Sequence, residues 1–270
     1  MAGPGGIFED SLFDKEVSGK VYNFVVKTFS CLLSNLLLLF LAASCTAGAP
    51  AIKPGVPQEV QLAASDGAHL VAFYYPPLEG TSASPAPGLL LLHEAYQDSQ
   101  SWVDFAVAAQ AQGFGVLLPD RRGSGSSPGE QVFDERQDLD VEAAYTWLAS
   151  RPEIDPNRLE IGGASLGANL ALRAGARHPE VQAVAMLSPG MLLWEIGISE
   201  AAQAYGSRPV FLASAIDDQY PAQTVENLVK LGPGDYRVEW FPGSEHGTDL
   251  LRTQPALPGM LLEWLQQQLP

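Results

Sequence analysis

From residue 58 onward, short apolar runs alternate with amphipathic stretches along the chain. Several runs, such as LLLL at 89–92 and VAML at 184–187, are apolar throughout, which is typical of strands buried on both faces of a parallel sheet. The runs predict eight strands: Glu59–Ala63, His69–Tyr75, Gly88–Leu92, Phe114–Leu118, Arg158–Gly162, Gln182–Leu187, Pro209–Ser214 and Tyr236–Phe241. The stretches between them predict helices over 101–112, 134–150, 166–177, 220–231 and 255–268.

Strands that alternate with helices indicate an α/β fold, here with a mostly parallel eight-stranded sheet flanked by helices. The first two strands are separated by Ser-Asp-Gly, a hairpin signal, so we expect them to be antiparallel. Only residues 188–208 lie between the strands at 182–187 and 209–214, which is too short for a separate cap domain. The pattern therefore predicts one domain over residues 58–270.

Residues 1–45 have the composition of an export segment rather than of a folded domain. The apolar run Leu32–Ala43 has twelve residues, which suits a signal-peptide core better than a membrane span. The segment ends in LAASC and resembles the bacterial lipobox, in which the cysteine, here Cys45, is lipidated, although Ala42 stands where the lipobox usually has Leu. We expect an exported, membrane-anchored lipoprotein with a Pro/Gly/Ala tether over 46–57; the alternatives are a plain secretory signal, leaving a secreted or periplasmic protein, and an uncleaved signal anchor.

Composition excludes several classes of function. The formal net charge is −16, with 46% hydrophobic and 17% charged residues, so a globular core is expected and a nucleic-acid partner is not. Both cysteines, Cys31 and Cys45, lie in the first fifth of the chain. The predicted domain therefore has no thiolate for a metal site and no disulfide framework.

The candidate nucleophile is Ser165, in the G-x-S-x-G pentapeptide of residues 163–167. A nucleophilic serine of this type needs a strand before it and a helix after it, and the predicted elements supply both. A second match, residues 125–129, places Ser127 before Pro128 in a glycine-rich loop with no helix behind it. We interpret Ser127 as part of a turn and Ser165 as the nucleophile.

The serine needs a histidine base, and the chain has four histidines: His69, His93, His178 and His246. When a serine lies on such a turn, the acid and then the histidine follow it along the chain. His246 follows the last predicted strand in the loop PGSEHGTDLL, whereas His178 lies at a helix end. The order therefore selects His246 as the base.

The acid that orients the base is expected after the strand Pro209–Ser214, where Asp217 and Asp218 are adjacent. We favour Asp218 as the acid, with Asp217 as the alternative. The other aspartate is expected to cap the helix that starts near Pro221.

Two backbone amides are expected to form the oxyanion hole. One is the N–H of Leu166, which follows the nucleophile at a helix N-terminus. The other comes from the loop after the third strand, HEAYQDSQSW, where Ala95 is favoured and Tyr96 is the alternative.

With these motifs in place, the sequence resembles the α/β-hydrolase superfamily, and within it the small dienelactone-hydrolase-like and serine-aminopeptidase-like esterases, over about residues 60–268. The resemblance implies a Ser165–His246–Asp218 triad and an acyl-enzyme mechanism without metal or cofactor. Most members have His-Gly after the third strand, whereas this chain has His93-Glu94. Dienelactone hydrolases have a glutamate there, but their nucleophile is a cysteine.

We therefore expect a serine hydrolase that cleaves a small-molecule ester or amide with a short acyl group. Glu94, Tyr96, Met191 and Trp194 are the expected pocket residues, the last two from the segment 188–198. The alternatives are a peptidase or acyltransferase with the same triad and a non-catalytic, membrane-tethered binding module.

Overall fold

The structure is a computed structural model that describes residues 53–270. The predicted export segment 1–45, its Cys45 and residues 46–52 of the predicted tether lie outside the described residues, so those interpretations stay predictions. Across residues 53–270, no helix combines the length and the apolar character that crossing a membrane requires.

The described part of the chain contains an eight-stranded sheet and a separate two-stranded hairpin. The strands, in chain order, are β1 Gln58–Ala63, β2 His69–Tyr75, β3 Ala86–Leu92, β4 Gly115–Asp120, β5 Ile154–Ala164, β6 Val181–Leu187, β7 Leu192–Leu193, β8 Ile196–Gly197, β9 Pro209–Ala215 and β10 Asp235–Phe241. The order across the large sheet is β1-β2-β4-β3-β5-β6-β9-β10. Within the large sheet, β2 is antiparallel to β1, as predicted, and also to β4, which was not predicted; the other pairs are parallel, in agreement with the predicted mostly parallel sheet.

The helices are α1 Val103–Ala111, α2 Arg136–Ala149, α3 Leu166–Arg177, α4 Ser199–Tyr205, α5 Gln219–Leu231, α6 Asp249–Thr253 and α7 Leu257–Gln268. They cover both faces of the sheet, and each face has its own apolar core. One core contains buried residues of α2, α3, α4 and α5, and the other contains those of α1 and α7. Strands covered on both faces explain the continuous apolar runs in the sequence.

The sequence missed several short elements. The hairpin β7–β8 and helix α4 occupy the segment 188–208, and α6 follows the last strand of the sheet. These elements have two to seven residues, too few to show a hydrophobic period. The predicted helix 101–112 is a 3-10 turn, Ser99–Trp102, followed by α1. The absence of a separate cap domain agrees with the prediction, because 188–208 holds only the hairpin and one short helix.

The parallel strands bring the ends of β3, β5, β9 and β10 to one edge of the sheet. Each of the predicted reactive residues follows one of these ends, since side chains after the carboxyl ends of parallel strands share an edge. This edge is where the candidate site is assembled.

A buried carboxyl group lies in the middle of the sheet, away from that edge. Glu160 on β5 pairs with Leu89 of β3 and Ala183 of β6 and is fully buried. Among the described residues, neither of its carboxylate oxygens has a hydrogen-bond partner. Burial therefore raises the pKa of Glu160 well above its ordinary value, because desolvation disfavours the charged form.

Glu160 is expected to make the fold less stable as the pH rises. A carboxyl group with a raised folded-state pKa stabilises the fold at low pH, and this contribution is lost as the pH rises toward that pKa. Between about pH 5 and about pH 8, the melting temperature of the wild-type protein should therefore fall more than that of Glu160→Gln, which cannot ionise. Glu79→Gln, at an exposed position, is the control and should follow the wild type. Parallel pH profiles for Glu160→Gln and the wild type would contradict the prediction.

Candidate active site

Ser165 lies on a sharp turn between β5 and α3. Its backbone has φ 50° and ψ −116°, a left-handed conformation that is strained for a residue with a side chain. Its N–H donates to the Leu187 carbonyl oxygen at 2.8 Å, which ties the turn to β6. A Cβ atom at Gly163 or Gly167 would collide with neighbouring backbone, so the turn requires glycine at both positions. The serine is 8% exposed and opens onto the strand-end edge.

Asp218 and His246 form a hydrogen-bonded pair at the same edge. The distance from His246 Nδ1 to Asp218 Oδ2 is 2.6 Å. Since a carboxylate only accepts, Nδ1 carries the proton and Nε2 is left free to act as a base. The His246 side chain is 43% exposed and that of Asp218 is 19% exposed, so the base is open to a substrate.

The loops that carry this pair are joined by backbone hydrogen bonds. Ile216 N–H donates to the Phe241 carbonyl oxygen at 2.8 Å, and Asp217 N–H donates to the Gly243 carbonyl oxygen at 2.9 Å. These bonds continue the pairing of β9 with β10 beyond the last strand residues. The sheet itself therefore places the acid loop beside the base loop.

The structure distinguishes the two adjacent aspartates. Asp218 contacts His246, whereas the Asp217 side chain is exposed. Helix α5 begins at Gln219 and has no side-chain cap. The expectation that the other aspartate caps this helix is therefore wrong, because Asp218, at the cap position, bonds to His246 instead.

Ser165 and the His246–Asp218 pair lie at the same edge of the sheet, but they do not form a continuous hydrogen-bonded chain within the described residues. Among the hydrogen bonds within residues 53–270, none links the Ser165 hydroxyl to His246. At catalytic sites without substrate such bonds are often long, and they tighten when the substrate binds.

The predicted oxyanion amides lie on two backbone segments in direct contact. Leu166 is the first residue of α3, so its N–H has no acceptor within the helix. Ala95 lies in the loop after β3. That loop packs against the first turn of α3, because a Cβ at Gly167 would collide with the Leu92 and His93 carbonyl oxygens. Tyr96 follows with φ 62° and an exposed ring.

An aromatic cluster made of Tyr96, Phe133 and Trp194 adjoins this loop. The rings of Phe133 and Trp194 stack with centroids 4.3 Å apart and planes 14° apart. The Tyr96 ring meets both edge-on, with centroids 5.1 Å from Phe133 and 6.0 Å from Trp194. Tyr96 and Trp194 were predicted pocket residues; Phe133 was missed, because its segment 130–135 has no periodic pattern and only the fold brings it here.

Asn169 fixes the β7–β8 hairpin that carries Trp194. Its buried side chain lies on α3, donates to the carbonyl oxygens of Gly190 at 2.7 Å and Ile196 at 2.8 Å, and accepts the Gly190 N–H at 3.1 Å. The sequence predicted no role for Asn169; the signal that points to one is its place as the lone polar residue in the apolar stretch LGANLAL.

A polar cavity of about 510 Å³ borders His246. It is lined by His246, Ala95 and Glu94 together with polar side chains, including Gln97, Gln100, Ser101, Asp104 and Thr248. The Thr248 hydroxyl donates to Glu94 Oε1 at 2.7 Å, and burial raises the pKa of Glu94. Glu94 thus lines a cavity together with His246, and its place in a substrate pocket stays a prediction. Met191 lies elsewhere, in a cavity of about 560 Å³ beside Arg173 that His246 does not line.

Metal ligands are not grouped at this edge or elsewhere in residues 53–270. No cluster of three or more His, Cys, Asp or Glu side chains there has the arrangement that would hold an ion.

Comparisons with known proteins agree on the fold. A family model described as the alpha/beta hydrolase fold matches residues 87–218. An uncharacterized protein of Mycobacterium tuberculosis is 29% identical over 82% of this chain and 83% of its own length. The thiohydrolase apmlB of Arthrinium phaeospermum is 27% identical over 67% of this chain and 68% of its own. An esterase of Pyrococcus furiosus superposes with a TM-score of 0.62 at 18% identity, over 78% of this chain and 90% of that one.

The Asp218–His246 contact predicts a specific spectroscopic signature. A proton held between an imidazole nitrogen and a carboxylate at 2.6 Å is strongly deshielded in the proton NMR spectrum. Asp218→Asn should move this Nδ1 proton signal upfield or remove it, whereas Asp217→Asn should leave it in place. Loss of the signal in Asp217→Asn alone would contradict the assignment.

Proposed function

Because the chain is a member of the alpha/beta-hydrolase superfamily, we propose that it is a serine hydrolase that cleaves ester-type bonds with Ser165, His246 and Asp218. The observation that carries the proposal is the hydrogen-bonded His246–Asp218 pair at the sheet edge where the strained turn holds Ser165. A serine hydroxyl is a weak nucleophile unless a base of this kind activates it.

The proposed reaction has two halves. His246 Nε2 takes the proton of Ser165 as the Ser165 oxygen attacks the ester carbonyl, and Asp218 stabilises the imidazolium that forms. The N–H groups of Leu166 and Ala95 stabilise the oxyanion. His246 then protonates the departing alcohol, and water hydrolyses the acyl-enzyme with His246 again as the base.

Two regions beside the site would contact different parts of a substrate, its leaving group and its acyl group. The leaving group must come within reach of His246, which protonates it, and the polar cavity beside His246 suits a polar alcohol. The aromatic cluster begins at Tyr96, next to the proposed oxyanion donor Ala95, and suits a short or aromatic acyl group. Between β6 and β9 the described chain has only the β7–β8 hairpin and α4, which is the reason for proposing a short acyl chain.

A second candidate function uses the same residues on thioesters. The thiohydrolase relative supports it, since a thioester and an ester share the same acyl-enzyme intermediate. Matched oxygen and sulfur esters of one acyl group distinguish the two, and product analysis with added alcohols or amines reveals an acyltransferase.

Ser165→Ala should lower kcat/KM for a responsive ester by about 10⁴-fold or more, because the members of such a triad act as a unit. The matched control is Ser127→Ala, in the second G-x-S-x-G. Ser127 accepts the Val71 N–H at 2.8 Å and donates to the Asp120 carbonyl oxygen, so its loss should lower stability and leave the rate of the folded protein unchanged. Ordinary ester hydrolysis by Ser165→Ala would overturn the proposal. Failure of Ser165 to react with a fluorophosphonate would instead favour a binding module.

Trp194→Ala should lower activity on an ester with an aromatic acyl group more than on an acetyl ester. An aromatic contact contributes about 0.5–1.5 kcal/mol, so kcat/KM for a phenylacetyl ester should fall about 3- to 10-fold relative to an acetyl ester of the same alcohol. The matched control is Trp240→Ala, which removes an exposed tryptophan of β10 outside the aromatic cluster. An equal loss with both esters would show that Trp194 does not contact the acyl group.

A further inference from the structure

A buried arginine lies directly behind the loop that carries Ala95. Arg121 follows the end of β4 and is 1% exposed. Within the described residues, no carboxylate accepts a hydrogen bond from its guanidinium group. Burial lowers the pKa of Arg121 to about 9, which still leaves it charged at neutral pH. A buried charge is costly without a partner, so the contacts that Arg121 makes indicate what keeps it there.

The next residue, Arg122, is a buried arginine whose charge is paired in the usual way, with carboxylates. Arg122 is also buried, but its guanidinium nitrogens lie 2.6 Å from Asp140 Oδ1 and 2.7 Å from Asp66 Oδ2. The two adjacent arginines thus differ in their direct contacts: Arg122 is hydrogen-bonded to two carboxylates, whereas the guanidinium group of Arg121 is hydrogen-bonded to none within the described residues. Asp140 and Glu94 attract the Arg121 charge through space, but within the described residues no carboxylate is bonded to its guanidinium group.

The Arg121 guanidinium group instead binds the backbone of the loop after β3 that carries Ala95. Its Nη2 donates to the His93 carbonyl oxygen at 2.8 Å and to the Glu94 carbonyl oxygen at 2.9 Å. Its Nη1 donates to the Gln137 side chain. The charge is thus directed at two consecutive peptide groups just before Ala95.

The His93 side chain reinforces the same contact. Burial and the nearby guanidinium lower the pKa of His93 well below its ordinary value, so the ring is neutral. Its Nε2 accepts the Arg121 backbone N–H at 3.2 Å, which places the ring proton on Nδ1. Nδ1 then donates to the Glu94 carbonyl oxygen at 2.7 Å. The Glu94 carbonyl oxygen therefore accepts hydrogen bonds from both His93 and Arg121.

The orientation of the Glu94 carbonyl group determines that of the next amide. In a trans peptide the C=O and N–H bonds point in opposite directions, and no described peptide bond is cis. An anchored Glu94 carbonyl group therefore fixes the Ala95 N–H on the side away from Arg121. A cation at the carbonyl oxygen also polarises the peptide, which strengthens the N–H as a donor.

We propose that Arg121 is a positioning residue: it holds the Glu94–Ala95 peptide so that the Ala95 N–H meets the oxyanion, and its buried charge strengthens that donor. The inference rests on the proposed hydrolase function, since without an oxyanion the alignment has no purpose. The Leu166 N–H belongs to the helix and does not depend on Arg121. Loss of Arg121 therefore weakens one of the two donors.

The test compares Arg121→Met with Arg122→Met on an ester that the wild type hydrolyses. Removal of one oxyanion donor typically lowers kcat by about 10²-fold or more, so Arg121→Met should lower kcat by about 10- to 100-fold with KM nearly unchanged. A trifluoromethyl ketone, which forms a tetrahedral adduct with Ser165, should lose affinity by a similar factor. Arg122→Met should lower the melting temperature and leave both kcat and the inhibitor affinity of the folded protein unchanged.

Two further variants complete the test. Arg121→Lys keeps the charge but has a single nitrogen for two carbonyl groups, so its kcat should lie between those of the wild type and Arg121→Met. If neither Arg121 variant folds, His93→Phe removes the second donor to the Glu94 carbonyl oxygen and should lower kcat and ketone affinity together. Wild-type kcat and ketone affinity in a folded variant, with Ser165→Ala inactive, would overturn the role of Arg121 alone. An active Ser165→Ala would overturn the proposed function and this inference with it.

Discussion

The strained backbone at Ser165 is the constraint on which the rest of the site depends. A left-handed serine between a buried strand and a buried helix is tolerated only because glycines at 163 and 167 let three backbone segments approach closely. The same turn starts α3, which presents the Leu166 amide and, one turn later, Asn169. The proposed nucleophile, the proposed oxyanion donor and the anchor of the β7–β8 hairpin thus come from one short segment, so their relative geometry is set as soon as the strand and helix pack.

The sequence predicted the parts of the site that local pattern and chain order determine. The turn at Ser165 has a strand before it and a helix after it, and His246 lies on the only histidine-bearing loop that follows the last strand. Asp218 was favoured over Asp217 by reach alone, and the structure places it against His246. The hydrogen bond to Asp218 shows that side-chain chemistry at a helix start can override capping preference.

The parts that the sequence did not reveal depend on contacts between distant segments. Phe133 reaches Trp194 across about 60 residues of chain, and Arg121 reaches the loop after β3 across 28 residues. Neither residue type indicates a contact at the site, because a phenylalanine usually packs in a core and an arginine usually lies at the surface. Both arginines are buried, and they differ in the groups that their guanidinium groups bond, which only the fold determines.

The hydrogen bonds that extend the β9–β10 pairing have a consequence for fluctuations of the native state. Ile216 N–H is bonded to Phe241, the last residue of β10, and Asp217 N–H is bonded to Gly243 in the loop that follows, so we expect the segments that carry Asp218 and His246 to open together. An opening that separates the two segments must break both of these bonds. We therefore expect the Asp218 carboxylate to stay beside His246 Nδ1 during small local openings, which favours the tautomer with the proton on Nδ1.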